Sequence, residues 1–180
     1  MPKIVDVAQR HTLIAEAAWR VLVRDGPTDL SVRKVAAEAG LSPSSLRHAF
    51  ATQASVRDHA VALLLERLSA RVNKVEGPNA MLLELLPLDD ERRVEMEVSL
   101  SFGTMAMTDE ALNRSHKEIH RAVRDICARA IDLLDIDPAE LDGLHAFIDG
   151  LALHLVRQTP GNDTTWALSA LAAQIERLQA

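Results

Sequence analysis

The stretch from Ser31 to Phe50, SVRKVAAEAGLSPSSLRHAF, constrains the fold more than any other part of this chain. Ser31 is a good N-cap for a first helix, and Gly40 can take the left-handed conformation that ends it. Ser42 can cap a second helix that starts with Pro43, where a missing N–H costs nothing. The apolar positions of the first helix recur with helical spacing: Val32, Val35, Ala36 and Ala39. The segment therefore predicts two short helices around a tight turn.

The second of these helices has one apolar and one polar face. Leu46 and Phe50 form an i,i+4 pair that we expect to be buried. The opposite face carries short polar and basic side chains, namely Ser44, Ser45, Arg47 and His48. A short helix of this kind fits the major groove of B-DNA. An ordinary helical hairpin inside a globular core is the alternative for this segment alone.

Helical patterns flank the motif on both sides. The upstream helix has an apolar face made by Ile14, Ala17, Ala18, Val21 and Leu22, and it ends at Asp25-Gly26-Pro27. Thr52 can cap a downstream helix with Val56, Ala60, Leu63, Leu64 and Arg67 on one side. The segments LIAEAAWRVLVRDG, SVRKVAAEAGLS and LRHAF, in this order between Leu13 and Val56, resemble the DNA-binding domain of the TetR family of transcriptional regulators. The resemblance implies a helix-turn-helix domain over residues 8–68, with its motif at 31–50.

Three positions depart from that family's pattern. Ser44 stands where glycine is usual, Arg47 replaces the usual phosphate-binding tyrosine, and Gln53 replaces the usual lysine. Arg47 can still neutralise a phosphate or pair with a guanine edge, whereas Gln53 brings no charge. The residues predicted to contact DNA are Ser31, Val32, Arg33, Ser42, Pro43, Ser44, Ser45, Arg47, His48 and Gln53. The expected partner is double-stranded DNA with a palindromic operator.

Composition and patterning indicate an all-α cytoplasmic protein. No useful stretch alternates with period two, and the strong periodicities are helical, so we expect about nine helices. No run of about 18 apolar residues predicts a membrane span, and the N-terminus lacks the apolar stretch of a signal peptide. Cys127 is the single cysteine, which excludes an intramolecular disulfide and suits a reducing compartment.

Charge is distributed unevenly along the chain. Residues 1–60 contain eight Lys and Arg against six Asp and Glu, a net charge of +2. The remainder contains twelve against twenty, a net charge of −8, which accounts for the total of −6. A mildly basic first part and an acidic remainder suit a protein that meets DNA at one end.

The chain beyond Glu76-Gly77-Pro78 predicts a second helical domain, over residues 78–180, for effector binding and dimerisation. A short helix is expected at 79–86. Two longer helices follow. The first has a predicted apolar face at Val94, Val98, Phe102 and Met105. The second is predicted to begin at Thr108, with an apolar face at Leu112, His116, Ile119, Val123, Ile126, Ala130 and Leu133. Asp137-Pro138-Ala139-Glu140 predicts the start of the next helix, and the last helix carries Leu168, Leu171, Ile175 and Leu178.

The last two helices are the predicted homodimer surface. Gly143, Phe147, Gly150 and His154 form a stripe on the penultimate helix, and Leu171 and Ile175 on the last helix complete the predicted interface. Because glycine costs a helix interior about 1 kcal/mol relative to alanine, two of them on one face suggest that another backbone approaches closely. That backbone could belong to a partner or to the same subunit.

PLDDERR and IDGLALH resemble the regulatory domain of the choline-responsive repressor branch of the TetR family, which covers many effectors.

A small-molecule effector is expected to bind near Met96, Phe102, Met105 and His116, because methionine side chains adapt to irregular ligands. Core packing is the alternative for each methionine and for His116.

His116 and His120 also have an HxxxH spacing, but Lys117 stands where a metalloprotease has glutamate. We therefore predict no enzyme activity, no cofactor and no metal, and a ligand-released repressor. The alternatives are a helical protein-interaction adaptor and, less favoured, a metal-binding enzyme.

Overall fold

The computed structural model describes residues 7–107 and 109–180, and these residues form nine α-helices and no strand. The helices are α1 (Val7–Asp25), α2 (Val32–Glu38), α3 (Pro43–Ala49), α4 (Gln53–Val72), α5 (Pro78–Leu83), α6 (Asp90–Ala106), α7 (Glu110–Leu133), α8 (Leu141–Arg157) and α9 (Thr165–Gln179). Short 3-10 turns at Pro27–Asp29 and Pro138–Glu140 precede α2 and α8. The all-α fold is confirmed. The predicted start of α7 at Thr108 lies outside the described residues, and Asp109 caps this helix through Leu112 N.

The chain divides into two compact units that do not follow chain order. One unit comprises Met1–Glu66 and Val98–His116, and the other comprises Arg67–Glu97 and Lys117–Ala180. Three helices, α4, α6 and α7, therefore contribute residues to both units. The predicted domains, 8–68 and 78–180, run in sequence order, whereas the first unit also contains the end of α6 and the start of α7.

The first unit is built on the apolar face of α1. In this helix Ile14, Ala17, Ala18 and Val21 are completely buried, as their spacing predicted. The neighbouring helices pack in sequence order, α1 on α2 and α2 on α3. Trp19 is buried, and its indole N–H donates to the Ala60 carbonyl of α4 at 3.0 Å. This bond satisfies the polar end of a buried tryptophan and joins α1 to α4.

The second unit has its own apolar core, made by the inward faces of α4, α5, α7, α8 and α9. Two arginines, Arg71 and Arg93, also join helices of this unit through hydrogen bonds. Arg71 of α4 binds Glu95 of α6 with two hydrogen bonds, of 3.0 and 2.6 Å, and Glu84 with a third of 3.1 Å. Arg93 of α6 donates to the carbonyls of Leu155 and Gln158 at 3.3 and 2.7 Å, and so satisfies oxygens that the end of α8 leaves unpaired.

Three residues predicted for apolar faces are exposed instead. Val94, Leu133 and Leu168 have exposed fractions of 38, 60 and 37%. Leu133 is the final residue of α7, and the buried face there runs through Cys127, Ala130 and Ile131. Helical spacing of apolar residues therefore does not by itself show that every one of them is buried.

Candidate nucleic-acid interface

The helix-turn-helix segment forms as its local sequence predicted. The Ser31 hydroxyl accepts a hydrogen bond from Lys34 N, and the Ser42 hydroxyl accepts one from Ser45 N, each at 3.2 Å. Gly40 has a φ of +66°, and the next amide, Leu41 N, donates to Ala36 O at 2.8 Å. This pairing is a common way to end a helix with a left-handed glycine. These local interactions set where α2 ends and where α3 begins.

The buried face of α3 is anchored by Leu46, which is completely buried, and by Phe50, which is 8% exposed. Phe50 stacks on the ring of His59 with centroids 4.7 Å apart, and it also contacts the ring of His11. His59 Nε2 lies 2.8 Å from the His11 carbonyl oxygen. Helices α1 and α4 therefore both hold the end of α3, which fixes the direction in which its other face points.

Arg10 positions α3 in a way that sequence reasoning missed. Its guanidinium donates to Ser45 Oγ at 2.5 Å and to the Ser45 carbonyl oxygen at 3.2 Å. Ser45 is consequently half-buried and its hydroxyl is engaged inside the chain, which corrects its predicted place on the freely exposed face. The two residues are 35 positions apart, and no local pattern pairs them.

The exposed side of the motif carries two arginines and a histidine that have no partner in the part of the chain that the structure describes. Arg33, Arg47 and His48 are exposed, and within the described ranges 7–107 and 109–180 none of them forms an ion pair or a side-chain hydrogen bond. Ser44 is exposed beside them, and its hydroxyl contacts that of Ser42 at 3.2 Å. The remaining predicted residues are also reachable, since Val32 and Ser31 are half-exposed and Pro43 is exposed.

Three other cations of this unit form an ion-pair network between α1 and α2. Arg20 and Arg24 bind Glu38 at 2.7 and 2.8 Å, and Lys34 lies 3.2 Å from Asp25. Hydrogen bonds from Arg24 and Arg20 lower the pKa of Glu38, and those from Arg24 and Lys34 lower the pKa of Asp25. The network therefore uses these charges to hold α1 against α2, which leaves Arg33 and Arg47 as the uncommitted arginines of the motif.

Gln53 is the first residue of α4 and is exposed. The preceding Thr52 caps this helix reciprocally with Ser55. Ser55 N donates to Thr52 Oγ1 at 3.1 Å, and Thr52 N donates to Ser55 Oγ at 3.2 Å. The N-terminus of α4 is thereby held in a defined conformation, with the Gln53 amide at its exposed end.

The four residues predicted for an effector pocket have different surroundings. Phe102 is completely buried in the first unit, and Met96 packs against the apolar core of the second. The half-buried His116 ring lies 3.4 Å from the point that a Cβ at Gly103 would occupy. The side chain of Met105 lies outside the described residues. Two surface clefts of the second unit, of about 340 and 180 Å³, involve none of the four.

The predicted dimer residues separate into two groups. Gly143 and His154 are exposed and Phe147 and Gly150 are half-exposed, all on the open side of α8. A Cβ at Gly150 would meet nothing within 4 Å, so this glycine makes no room for a neighbour in its own subunit. Leu171 and Ile175 are 2 and 4% exposed in the core of the second unit, which corrects their assignment to the interface. They are buried because α9 packs on α8.

The HxxxH pair does not share a site with a common third ligand. His116 lies over Gly103, whereas His120 packs against the ring of His145, with centroids 4.4 Å apart. The sequence did not predict the second contact, since His145 comes from a different helix.

Among the described residues, no helix is long and apolar enough to cross a membrane.

Two family models cover most of the chain. Residues 14–59 match the model described as bacterial regulatory proteins, tetR family, and residues 76–180 match that of the BetI-type transcriptional repressor C-terminal domain. The chain belongs to the TetR family of transcriptional regulators. It is a regulator with an N-terminal helix-turn-helix DNA-binding part, as the resemblance implied. This membership favours the regulator over the alternative of a helical adaptor.

Individual relatives agree with this family. The transcriptional regulator PksA of Bacillus subtilis is 37% identical over 169 residues, which cover 86% of this chain and 82% of PksA. A transcriptional regulator from Rhodococcus sp. Rha1 has a similar structure, with a TM-score of 0.76, 27% identity and coverage of 93 and 95% of the two chains. The multidrug binding protein EbrR complexed with ethidium gives a TM-score of 0.63, with 28% identity and coverage of 91 and 97%.

Proposed function

We propose that this regulator is a homodimeric repressor that binds a palindromic operator and is released from it by a small-molecule effector. The observation that carries the proposal is the open face of α3, where Arg47 and His48 are exposed and uncommitted while Leu46 is completely buried. An unpaired arginine and short polar side chains on a short, firmly anchored helix suit the phosphates and base edges of a major groove. DNA binding would place the protein in the cytoplasm with its operator.

The proposed DNA contacts differ in how far each side chain can extend from its helix. Ser31, whose oxygen accepts the capping bond, can donate its hydroxyl proton to a phosphate near the start of α2. Arg33, Arg47 and Gln53 can reach the backbone or a guanine edge, while Ser42, Pro43, Ser44 and Val32 offer short contacts to the groove. Ser45 supports the interface from inside, because Arg10 already holds it.

Dimerisation through α8 and α9 would give two such motifs. The open stripe at Gly143, Phe147, Gly150 and His154 supports it, because no atom of the same subunit occupies the space above Gly150. A two-fold dimer of this kind forms a four-helix seam from both subunits. Its two recognition helices would lie about 34–36 Å apart, or a multiple of that, to read two half-sites.

The effector would be a small, largely apolar molecule bound in the C-terminal part of the chain. The ethidium complex of EbrR supports a small-molecule ligand for a relative of this similarity. Because α4, α6 and α7 each contribute residues to both units, a ligand that displaces one of them can change the spacing of the DNA-binding parts. A coupling of about 1–3 kcal/mol weakens operator binding roughly 5- to 150-fold. The ligand must bind the DNA-incompetent spacing better.

The first test measures binding of the full chain to a duplex from the region upstream of its own gene by fluorescence anisotropy. We expect salt-sensitive, saturable binding of one dimer per palindrome, and much weaker binding to a scrambled duplex of equal length. Equal affinity for both duplexes would contradict a sequence-specific regulator. Sedimentation in the same buffer gives the number of subunits.

The second test addresses release. A panel of small apolar and cationic molecules is screened by thermal shift, and each stabilising compound is added to the protein–operator complex. We expect at least one to lower operator affinity, and we expect His116→Ala to raise the concentration required. If the effective concentration is unchanged, His116 is only a packing residue above Gly103. If every stabilising compound leaves the dimer on its operator, the release mechanism is wrong.

A further inference from the structure

The second unit brings together three metal-ligating side chains from two helices. His120 belongs to α7, while His145 and Asp149 are one turn apart on α8. The nearest ligand atoms of all three lie within 4.8 Å of one another. The contacts are direct, since the two imidazole rings are 4.4 Å apart and His145 Nε2 is 3.6 Å from Asp149 Oδ2.

His145 is the buried member of this group. Its side chain is 5% exposed, and its Nε2 has no hydrogen-bond partner among the residues that the structure describes. A buried polar atom without a partner is unfavourable and requires an explanation. Asp149 Oδ2 lies 3.6 Å from it, which is too far for a hydrogen bond.

We propose that His120, His145 and Asp149 bind one divalent transition-metal ion, Zn²⁺ above all, between α7 and α8. Two imidazole nitrogens and one carboxylate oxygen are a donor set that zinc accepts, and the ion gives the buried Nε2 a partner. Calcium and magnesium prefer sites made of oxygen ligands alone. Three protein ligands leave a fourth position for water or another small ligand.

The distances are compatible with this ion. Tetrahedral zinc with bonds of about 2.1 Å holds neighbouring ligand atoms about 3.4 Å apart. The pair His145 and Asp149 is already close to this separation at 3.6 Å. The wider spacing in the set, up to 4.8 Å, can close by side-chain rotation, because His120 and Asp149 are both exposed.

The nearby charges do not compete for the site. Arg124, one turn after His120, forms an ion pair with Asp142 and so leaves the Asp149 carboxylate available. Cys127, three residues after Arg124 on α7, is not one of the three proposed ligands. Burial raises the pKa of its thiol to about 12. His145 follows Gly143 by two residues, which is about 200° around the helix, so this site and the glycine stripe occupy different faces of α8.

The test titrates the untagged full chain with Zn²⁺ by calorimetry and with Co²⁺ by visible spectroscopy. We expect one ion per chain and, for Co²⁺, the d–d absorption of a site with few ligands. His120→Gln and Asp149→Asn should each weaken Zn²⁺ binding by at least about tenfold, since changes that only support a ligand already cost 10- to 100-fold. Asp125→Asn removes an exposed carboxylate elsewhere on α7 and should leave binding unchanged.

Folding is monitored at the same time by circular dichroism and thermal unfolding. Zn²⁺ should raise the melting temperature of the wild type, because it binds the native state, and should raise that of the two ligand variants much less. Both substitutions are at exposed positions, so their helix content should match that of the wild type. Absence of saturable binding, or equal binding by wild type, His120→Gln and Asp149→Asn, would overturn the proposal. Neither measurement involves DNA, so its outcome is independent of the proposed operator binding.

Discussion

Helices α3 and α8 each have one buried and one open face, yet the open faces differ in kind. The seven-residue α3 presents serine, arginine and histidine side chains, and its buried side depends on Leu46 and on contacts with α1 and α4. The seventeen-residue α8 buries seven side chains and presents a stripe with two glycines and one phenylalanine. The open face of α3 is polar and basic, whereas the stripe on α8 combines two glycines with Phe147 and His154.

This difference indicates different partners. Uncommitted cations attract a phosphate backbone over several ångströms and tolerate water between the two surfaces. The open space above Gly150 instead suits close packing by the complementary surface of a second subunit in the proposed dimer. The same fold thus separates a polar contact from an apolar one, and each can be changed without touching the other.

The largest expected effect comes from removing the anchor of α3. Leu46→Ala should lower the free energy of unfolding by about 2–5 kcal/mol, because it leaves a cavity under a completely buried side chain. Urea unfolding followed by circular dichroism measures this loss. Arg47→Ala, on the opposite face, is the control and should change stability by less than about 0.5 kcal/mol. Equal losses for the two variants would mean that α3 has no distinct buried and open faces.

Arg47→Ala should instead act on DNA binding. We expect either a uniform loss of affinity with a salt slope reduced by about 1 per subunit, or a relaxed preference at one base pair worth about 1–3 kcal/mol. Anisotropy titrations at several salt concentrations and on base-substituted operators distinguish a phosphate contact from a base contact. Arg24→Ala is the matched control, since Arg24 is paired with Glu38 and Asp25. If both variants bind a verified operator like the wild type, Arg47 is not in the interface.

Gly150→Leu tests the open face of α8. The Cβ of the added side chain would have no atom of its own subunit within 4 Å. A rise of about tenfold or more in the dimer dissociation constant, about 1.4 kcal/mol, would therefore report on a partner. Sedimentation over a range of concentrations measures this constant. Arg129→Leu places the same side chain at an exposed site of α7 and should leave the dimer unchanged. Unaltered dimerisation of Gly150→Leu would rule out close approach at this stripe.

The smallest effect concerns the ion pairs that hold α1 against α2. The pKa of Glu38 is lowered from its ordinary value of 4.5, so the native state holds the proton less tightly than the unfolded chain. Its stabilisation is therefore present above pH 4.5 and is lost as the pH falls through the lowered pKa. The urea midpoint of Glu38→Gln should be slightly below that of the wild type at pH 7, and the gap should close in acid. Glu176→Gln, an exposed carboxylate on α9, controls for the loss of one charge. A gap that does not shrink as the pH falls below 4.5 and through the lowered pKa would contradict this origin.

The positions of helix ends were predictable because they depend on neighbours within a few residues. Ser31, Gly40, Ser42 and Thr52 each do what their residue type favours at a helix end. The burial of Leu46 and Phe50 followed from their spacing on one face of α3. In contrast, Leu171 and Leu133 could not be placed correctly, because an apolar residue at helical spacing does not reveal which surface covers it, or whether any does.

The sequence by itself determined that this chain is helical, where the helix-turn-helix lies and which side of α3 is polar, since all three depend on interactions between residues close in sequence. The tertiary structure decided that Arg10 holds Ser45, that Leu171 and Ile175 belong to the core of their own subunit, and that His120 meets His145 and Asp149. These pairings join residues that are distant in the chain. Distances of this kind are set by how whole helices pack, and no local spacing encodes them.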